Sequence, residues 1–192
     1  MKQILIPISG GMDSTYVLYK YLTGTVHPIH AHHISLYSNE EFRIHQEDKA
    51  VDDIVSWLKK HTRDFRISKS AYINPLGGKD ITLVLFTMSQ IAHNLVGADT
   101  EEIVVATGRI IDDDVRAPIH TQDDVFWSGV KDLDVPITLE RPIRHMNKKE
   151  VMNNMPQELV SLTWSCRQPK FEKGKAIECG ECHACLEKYG EK

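Results

Sequence analysis

The chain has no cysteine before position 166. It has no run approaching the ~18 apolar residues that a membrane-spanning helix requires. It also lacks a basic excess: 23 Lys and Arg stand against 27 Asp and Glu, for a formal net charge of −4 and a pI of about 6.2. The first absence excludes a disulfide scaffold spread through a small secreted fold. The second excludes a membrane span. The third argues against a protein that grips nucleic acid mainly by its phosphates, although a local basic patch stays open. There is no internal repeat and no low-complexity linker. The hydrophobic content of 41% and charged content of 26% exclude disorder and collagen. A chain of 192 residues buries roughly 70% of its unfolded surface, so a core needs no disulfide.

Strand and helix signals alternate along the chain. Residues 3–8, Gln-Ile-Leu-Ile-Pro-Ile, read as a strand buried on both faces, with Pro7 marking the end of its pairing. A helix follows from Asp13 to Leu22, ended by Gly24. Residues 25–36 are β-like. Residues 40–60 carry Val51, Ile54, Val55 and Leu58 at helical spacing. Residues 65–73 form a third strand, and Asn74-Pro75-Leu76-Gly77-Gly78 a loop. Residues 81–95 are helical again, and Ile103–Thr107 is a fourth strand, followed at once by Gly108. Residues 109–136 read as polar, acidic and irregular. Asn147 caps a short helix over 148–155, which Pro156 interrupts. The pattern predicts an α/β fold with a mostly parallel sheet. Residues 1–160 form its body and residues 161–192 a cysteine-bearing appendage.

The sharpest feature lies between the first strand and the first helix: Ser9-Gly10-Gly11-Met12-Asp13-Ser14-Thr15. Two glycines permit a tight turn and close approach to a ligand. The helix beyond offers N–H groups and a positive dipole end, and Ser9, Ser14 and Thr15 add hydroxyls. This suits an anion with several oxygens, such as a phosphate chain. It is neither a Walker loop nor GxGxxG. Asp13 is unusual in a phosphate loop unless it caps the helix or helps to hold Mg²⁺. Gly108 sits where an open α/β sheet binds ligands, at a strand's C-terminal end. Asp112, Asp113 and Asp114 nearby offer further Mg²⁺ oxygens or simply an acidic loop.

Cys179-Gly-Glu-Cys182-His-Ala-Cys185 places three thiols at two-residue gaps, with Cys166 upstream. A terminal cluster of this kind in a chain whose start is strand-like points to a metal site in a reducing, cytoplasmic compartment. Four thiolates closing one tetrahedral site favour structural Zn²⁺, with an iron–sulfur cluster as the rival. The metal's loss is then expected to loosen the tail more than the chemistry. His183 is expected outside the ligand set. His30, His32 and His33 read as ordinary strand histidines rather than as a metal cluster, with His33 on the face opposite the other two.

The Ser-Gly-Gly-Met-Asp-Ser stretch after an N-terminal strand resembles the pyrophosphate loop of the PP-loop ATP pyrophosphatases. Thr163-Trp164-Ser165-Cys166 with Cys179-Gly-Glu-Cys182-His-Ala-Cys185 is similar to the ending of the 7-cyano-7-deazaguanine synthases of that superfamily. Pro142-Ile-Arg-His-Met-Asn-Lys148-Lys-Glu150-Val151 resembles another of their segments, and Arg43-Ile-His45 echoes them more weakly. The resemblance implies a Rossmann-like fold with helices on both faces and the activity of an ATP-dependent carbon–nitrogen ligase. It would adenylate a 7-carboxy-7-deazaguanine-type acid for attack by ammonia, releasing AMP and pyrophosphate and yielding the amide or the nitrile. Asp13 and Lys148 would be catalytic. Ser9, Gly10, Gly11, Asp13, Ser14, Thr15 and Gly108 would bind ATP with Mg²⁺. Cys166, Cys179, Cys182 and Cys185 would hold structural zinc. The family pattern further implies a homodimer with no direct nucleic-acid or membrane partner. The chain departs from the synthases at Lys79-Asp80 and across Gly108–Pro118, where the deazapurine should be recognised. An enzyme stopping at the amide, another PP-loop activity on a different carboxylate, base or protein terminus, and a non-catalytic nucleotide-binding module therefore stay open.

Overall fold

The computed structural model describes residues 1–37, 41–73, 80–111 and 120–189. The chain runs β1 (Lys2–Ile8), α1 (Met12–Gly24), β2 (Ile29–Tyr37), α2 (Glu41–His61), β3 (Arg66–Ile73), α3 (Asp80–Leu95) and β4 (Glu102–Ala106). It continues with α4 (His120–Val130), β5 (Ile137–Glu140), α5 (Lys148–Asn153), α6 (Gln157–Leu162), β6 (Lys170–Glu172), β7 (Lys175–Ile177) and α7 (His183–Tyr189). Five strands form one parallel sheet in the order β3-β2-β1-β4-β5. The chain winds outward from β1 through β2 to β3, then returns to the other side of β1. The strand order thus reverses between β1 and β4, and the fold is Rossmann-like with helices on both faces.

The residues of β1 explain why it is central. Ile4, Ile6 and Ile8 pack with Val17 and Leu18 of α1, Val51, Ile54 and Leu58 of α2, Val151 of α5 and Leu159 of α6. Leu5, pointing the opposite way, packs with Leu85 and Met88 of α3 and Phe126 of α4. Only a strand apolar on both sides can serve two cores at once. Pairing with β4 ends at Leu5, whereas pairing with β2 continues through Pro7 to Ile8.

Three stretches differ from the sequence expectation. Residues 120–130, expected to be irregular, form α4. This helix has little apolar face to advertise it. Phe126 and Val130 are its buried apolar anchors, and a Cβ on Gly129 would come 2.2 Å from Ser89 Oγ, so α4 lies unusually close on α3. Strand β5 was hidden in the acidic background beyond it. The helix expected over 148–155 stops at Asn153, and Pro156 then serves as the N-cap residue of α6. The loop expected over 74–78 lies outside the described residues.

The strand histidines are held by hydrogen bonds. His30 Nε2 and His32 Nδ1 share Ser68 Oγ at 2.6 and 2.7 Å, and His32 Nε2 meets Ser70 Oγ at 2.9 Å. Both rings are nearly fully buried, and His33 points to the other face, toward α2. Burial, reinforced by Arg66 beside His30 and by the neighbouring rings around His32, pushes both histidines down to about 4. Their unfolded value is near 6.5. Between those values the unfolded chain binds more protons, so stability rises with pH there and is lost as the pH falls from 6.5 toward 4. Urea unfolding should therefore show a loss of roughly 2–4 kcal/mol between pH 7 and pH 4.5. A His30→Asn, His32→Asn double variant should flatten that slope. An equal slope in both proteins would refute the assignment.

Candidate functional site

The loop after β1 occupies the crevice where the strand order reverses, which is where open α/β sheets bind ligands. Its shape follows from its residues. Gly10 has φ +79°, and a Cβ there would also come 2.9 Å from the Glu47 carbonyl oxygen of α2. Gly11 is the N-cap position of α1 and brings no side chain to cap it. The Gly11 N–H donates to Ser9 Oγ at 3.3 Å. Ser14 Oγ is tied to the Ser9 hydroxyl and donates to the Gly11 carbonyl, while the Ser9 N–H donates to Ser14 Oγ, each at 3.1 Å. Thr15 is fully buried and its hydroxyl donates to the Gly11 carbonyl at 2.8 Å. Thr15 therefore stabilises the turn from beneath, while Ser9, Gly11 and Ser14 line it.

Two distant residues complete the loop. A Cβ on Gly108, just beyond β4, would lie 2.7 Å from Ser14 N and 2.8 Å from the Asp13 carbonyl carbon. Glycine alone lets the end of β4 pass over the first turn of α1. Lys148, the first residue of α5, sets its Nζ 2.5 Å from Asp13 Oδ2. A capping box orients that helix: Asn147 Oδ1 accepts from the Glu150 N–H at 2.9 Å, and Glu150 Oε2 accepts from the Asn147 N–H at 2.8 Å. Val151 is fully buried on the core below. Lys148 is thus delivered to the loop, whereas Lys149 is exposed. Asp112, Asp113 and Asp114 lie outside the described residues.

The loop also has partners that the sequence reading did not single out. His33 Nδ1 donates to the Ile8 carbonyl at 2.8 Å, because a carbonyl can only accept. Its Nε2 lies 2.7 Å from Asp48 Oδ1, which also accepts from Ser35 Oγ at 2.7 Å. One turn away, Arg43 Nε donates to Glu47 Oε1 at 2.6 Å, and Arg43 Nη2 lies 3.5 Å from Asp80. Burial raises the Glu47 carboxyl despite the opposing Arg43. The i, i+4 spacing of Arg43 and Glu47 was the available signal.

The four cysteines converge. Cys166 precedes the β6–β7 hairpin, whose turn residues Lys173 and Gly174 both have positive φ (50° and 76°), as a tight two-residue hairpin turn requires. Cys179 follows it, Gly180 at φ +73° turns the chain back to Cys182, and α7 carries Cys185. All four Sγ atoms lie within 4.8 Å of one another, with Cys179 and Cys185 at 3.9 Å. Zn–S bonds of about 2.3 Å put tetrahedral sulfurs about 3.8 Å apart, so a single ion such as zinc fits. An iron–sulfur cluster interposes its own atoms and needs wider spacing. The Cys179 N–H donates to Cys166 Sγ and the Cys182 N–H to Cys179 Sγ, both at 3.2 Å. Burial pushes the Cys166 and Cys185 thiols up. It opposes ionisation of Cys182 as well, but backbone N–H groups there and the neighbouring thiols hold that thiol down at about 6. His183 is half exposed and lies 3.4 Å from Glu187, outside the sulfur group.

No known family model and no curated protein matches this chain. Among the described residues, no helix is long and apolar enough to cross a membrane.

Two measurements follow. Metal analysis should find about one zinc per chain, lost in Cys182→Ser together with the order of residues 166–185. Retention of zinc by that variant would overturn the four-sulfur assignment. Gly108→Ala should cost about 1–3 kcal/mol in urea unfolding, because its Cβ meets backbone that cannot move aside cheaply. Unchanged stability would show that the approach over α1 is looser than described.

Proposed function

We propose that this protein is an ATP-dependent carbon–nitrogen ligase that splits ATP between its α and β phosphates and adenylates a carboxylate. One observation carries the reading. The Ser9–Ser14 loop, with its glycines, hydroxyls and helix N-terminus, lies at the switch point of a parallel sheet, and Lys148 reaches it from the far end of the chain. Such a loop suits a leaving pyrophosphate. Ser9, Gly11 and Ser14 would hold its oxygens, and Asp13 would help to hold Mg²⁺. Lys148 would offset the charge that grows on the phosphates as the bond to the α phosphorus breaks.

The favoured substrate is a 7-carboxy-7-deazaguanine-type acid, from the likeness of both chain ends to the synthases, with ammonia as nucleophile. A carboxylate oxygen attacks the α phosphorus and expels pyrophosphate. Ammonia then attacks the acyl carbon, AMP departs, and a proton is released to give the amide. A second ATP activates the amide oxygen in the same way, and loss of AMP and of both amide protons gives the nitrile. The zinc would be held by four thiolates with no open position for a reacting water. A homodimer in the cytoplasm is the setting this reading implies.

The test is turnover of ATP with that acid and ammonia, with nucleotides and product read by mass spectrometry. AMP, pyrophosphate and the amide or nitrile are expected. Asp13→Ala should lower the rate by about 10²-fold or more with the fold intact. ADP and phosphate as the nucleotide products would overturn the mechanism. AMP release with other carboxylates but not this one would keep the chemistry and replace the substrate.

A further inference from the structure

The segment that leads into the cysteine centre is bonded to the phosphate loop. The backbone N–H of Trp164 donates to the Gly10 carbonyl at 2.9 Å. In a trans peptide the carbonyl and the next N–H point in opposite directions. Holding the Gly10 carbonyl toward Trp164 therefore aims the Gly11 N–H the other way, onto the side of the loop where Ser9 Oγ lies. If that peptide turned over, an acceptor would replace a donor where an anion must sit.

The Trp164 ring packs on the main core and Thr163 bonds to Val160 of α6, but the peptides on both sides of Trp164 are held by the cysteine module. On one side of it, Lys188 Nζ of α7 donates to the Thr163 carbonyl at 2.8 Å. On the other, the Ser165 N–H donates to Glu178 Oε1 at 2.9 Å, next to Cys179. Glu178 Oε2 pairs with Lys188 Nζ at 2.9 Å and accepts from the Tyr189 hydroxyl at 2.5 Å. Both charged side chains are close to nine-tenths buried. The Trp164 indole N–H donates to the Cys166 carbonyl at 3.0 Å, and Cys166 joins the other three sulfurs.

We propose that the cysteine centre sets the geometry of the phosphate loop, with Glu178 and the Trp164 backbone as positioning residues, so that emptying the centre releases the Gly10–Gly11 peptide. This departs from the expectation that metal loss spares the chemistry. It rests on the reading of that loop as a phosphate site only for its consequence in binding. The mechanical link stands on the hydrogen bonds alone.

The experiment compares the zinc-loaded protein, the same protein stripped by a chelator, and zinc-loaded Glu178→Ala and Glu178→Gln. Amide hydrogen exchange is followed over residues 9–14, with β4 and α3 as internal controls. Affinity for a non-hydrolysable ATP analogue is measured on each form. Stripping and Glu178→Ala should each speed exchange at residues 9–14 about tenfold or more while β4 and α3 stay protected. Both should weaken analogue binding by roughly tenfold, the worth of one hydrogen bond. Glu178→Gln keeps an oxygen for the Ser165 N–H and should restore the loop's protection. Fast exchange over 165–185 with unchanged protection at residues 9–14 would overturn the proposal. If stripping unfolds the sheet as well, the two Glu178 variants decide: equal loop protection in both overturns it, and loss in Ala with rescue in Gln supports it. Coupled exchange without analogue binding to any form would leave the link standing and sink the phosphate reading instead.

Discussion

Gly108 can lie over the first turn of α1 only because it has no side chain, and the site's geometry depends on that approach. A Cβ would sit 2.7 Å from Ser14 N. Removing it brings the end of β4 and the start of α1 into backbone contact across the crevice where the sheet reverses its order. On the other flank of the loop, Gly10 does the same against α2, where a Cβ would sit 2.9 Å from the Glu47 carbonyl oxygen. The loop is thus compressed between a strand end and a helix. Its amides, hydroxyls and dipole are aimed by packing, not by local propensity. A site organised in this way needs little rearrangement to receive an anion.

The charges follow the same logic. Asp13 in the first turn of α1 favours the helix dipole but would repel a phosphate chain. Lys148 offsets it at 2.5 Å, and both side chains are mostly buried, so the pair is less screened than a surface bridge. The cation arrives on a short helix that a capping box and one buried valine hold in place. Position here is supplied by elements more than a hundred residues apart, which the sheet brings to one edge.

That separation explains what the sequence could and could not disclose. The strand β1, the glycine turn after it, the α1 start and the cysteine spacing are local patterns, and each was legible. Lys148 was legible as a candidate, and its partner Asp13 was named independently. Helix α4 was not legible, since it docks through Phe126, Val130 and a bare Gly129 in place of an apolar stripe. The His33–Asp48–Ser35 group and the Glu178–Lys188 pair were not legible either. Their residues carry no spacing signal, because the contacts that define them cross between strand and helix or between loop and tail.

The contacts that fix the loop come from the whole length of the chain. The Ile8 carbonyl is held from β2 by His33, the Gly10 carbonyl from the tail by Trp164, and Asp13 from α5 by Lys148. The first needs only β1 beside β2, whereas the other two need the C-terminal segment docked. A local motif supplied the turn and its hydroxyl and amide donors. The long-range contacts decide whether its amides point the right way, which is why a cysteine centre at the other end of the chain bears on it at all.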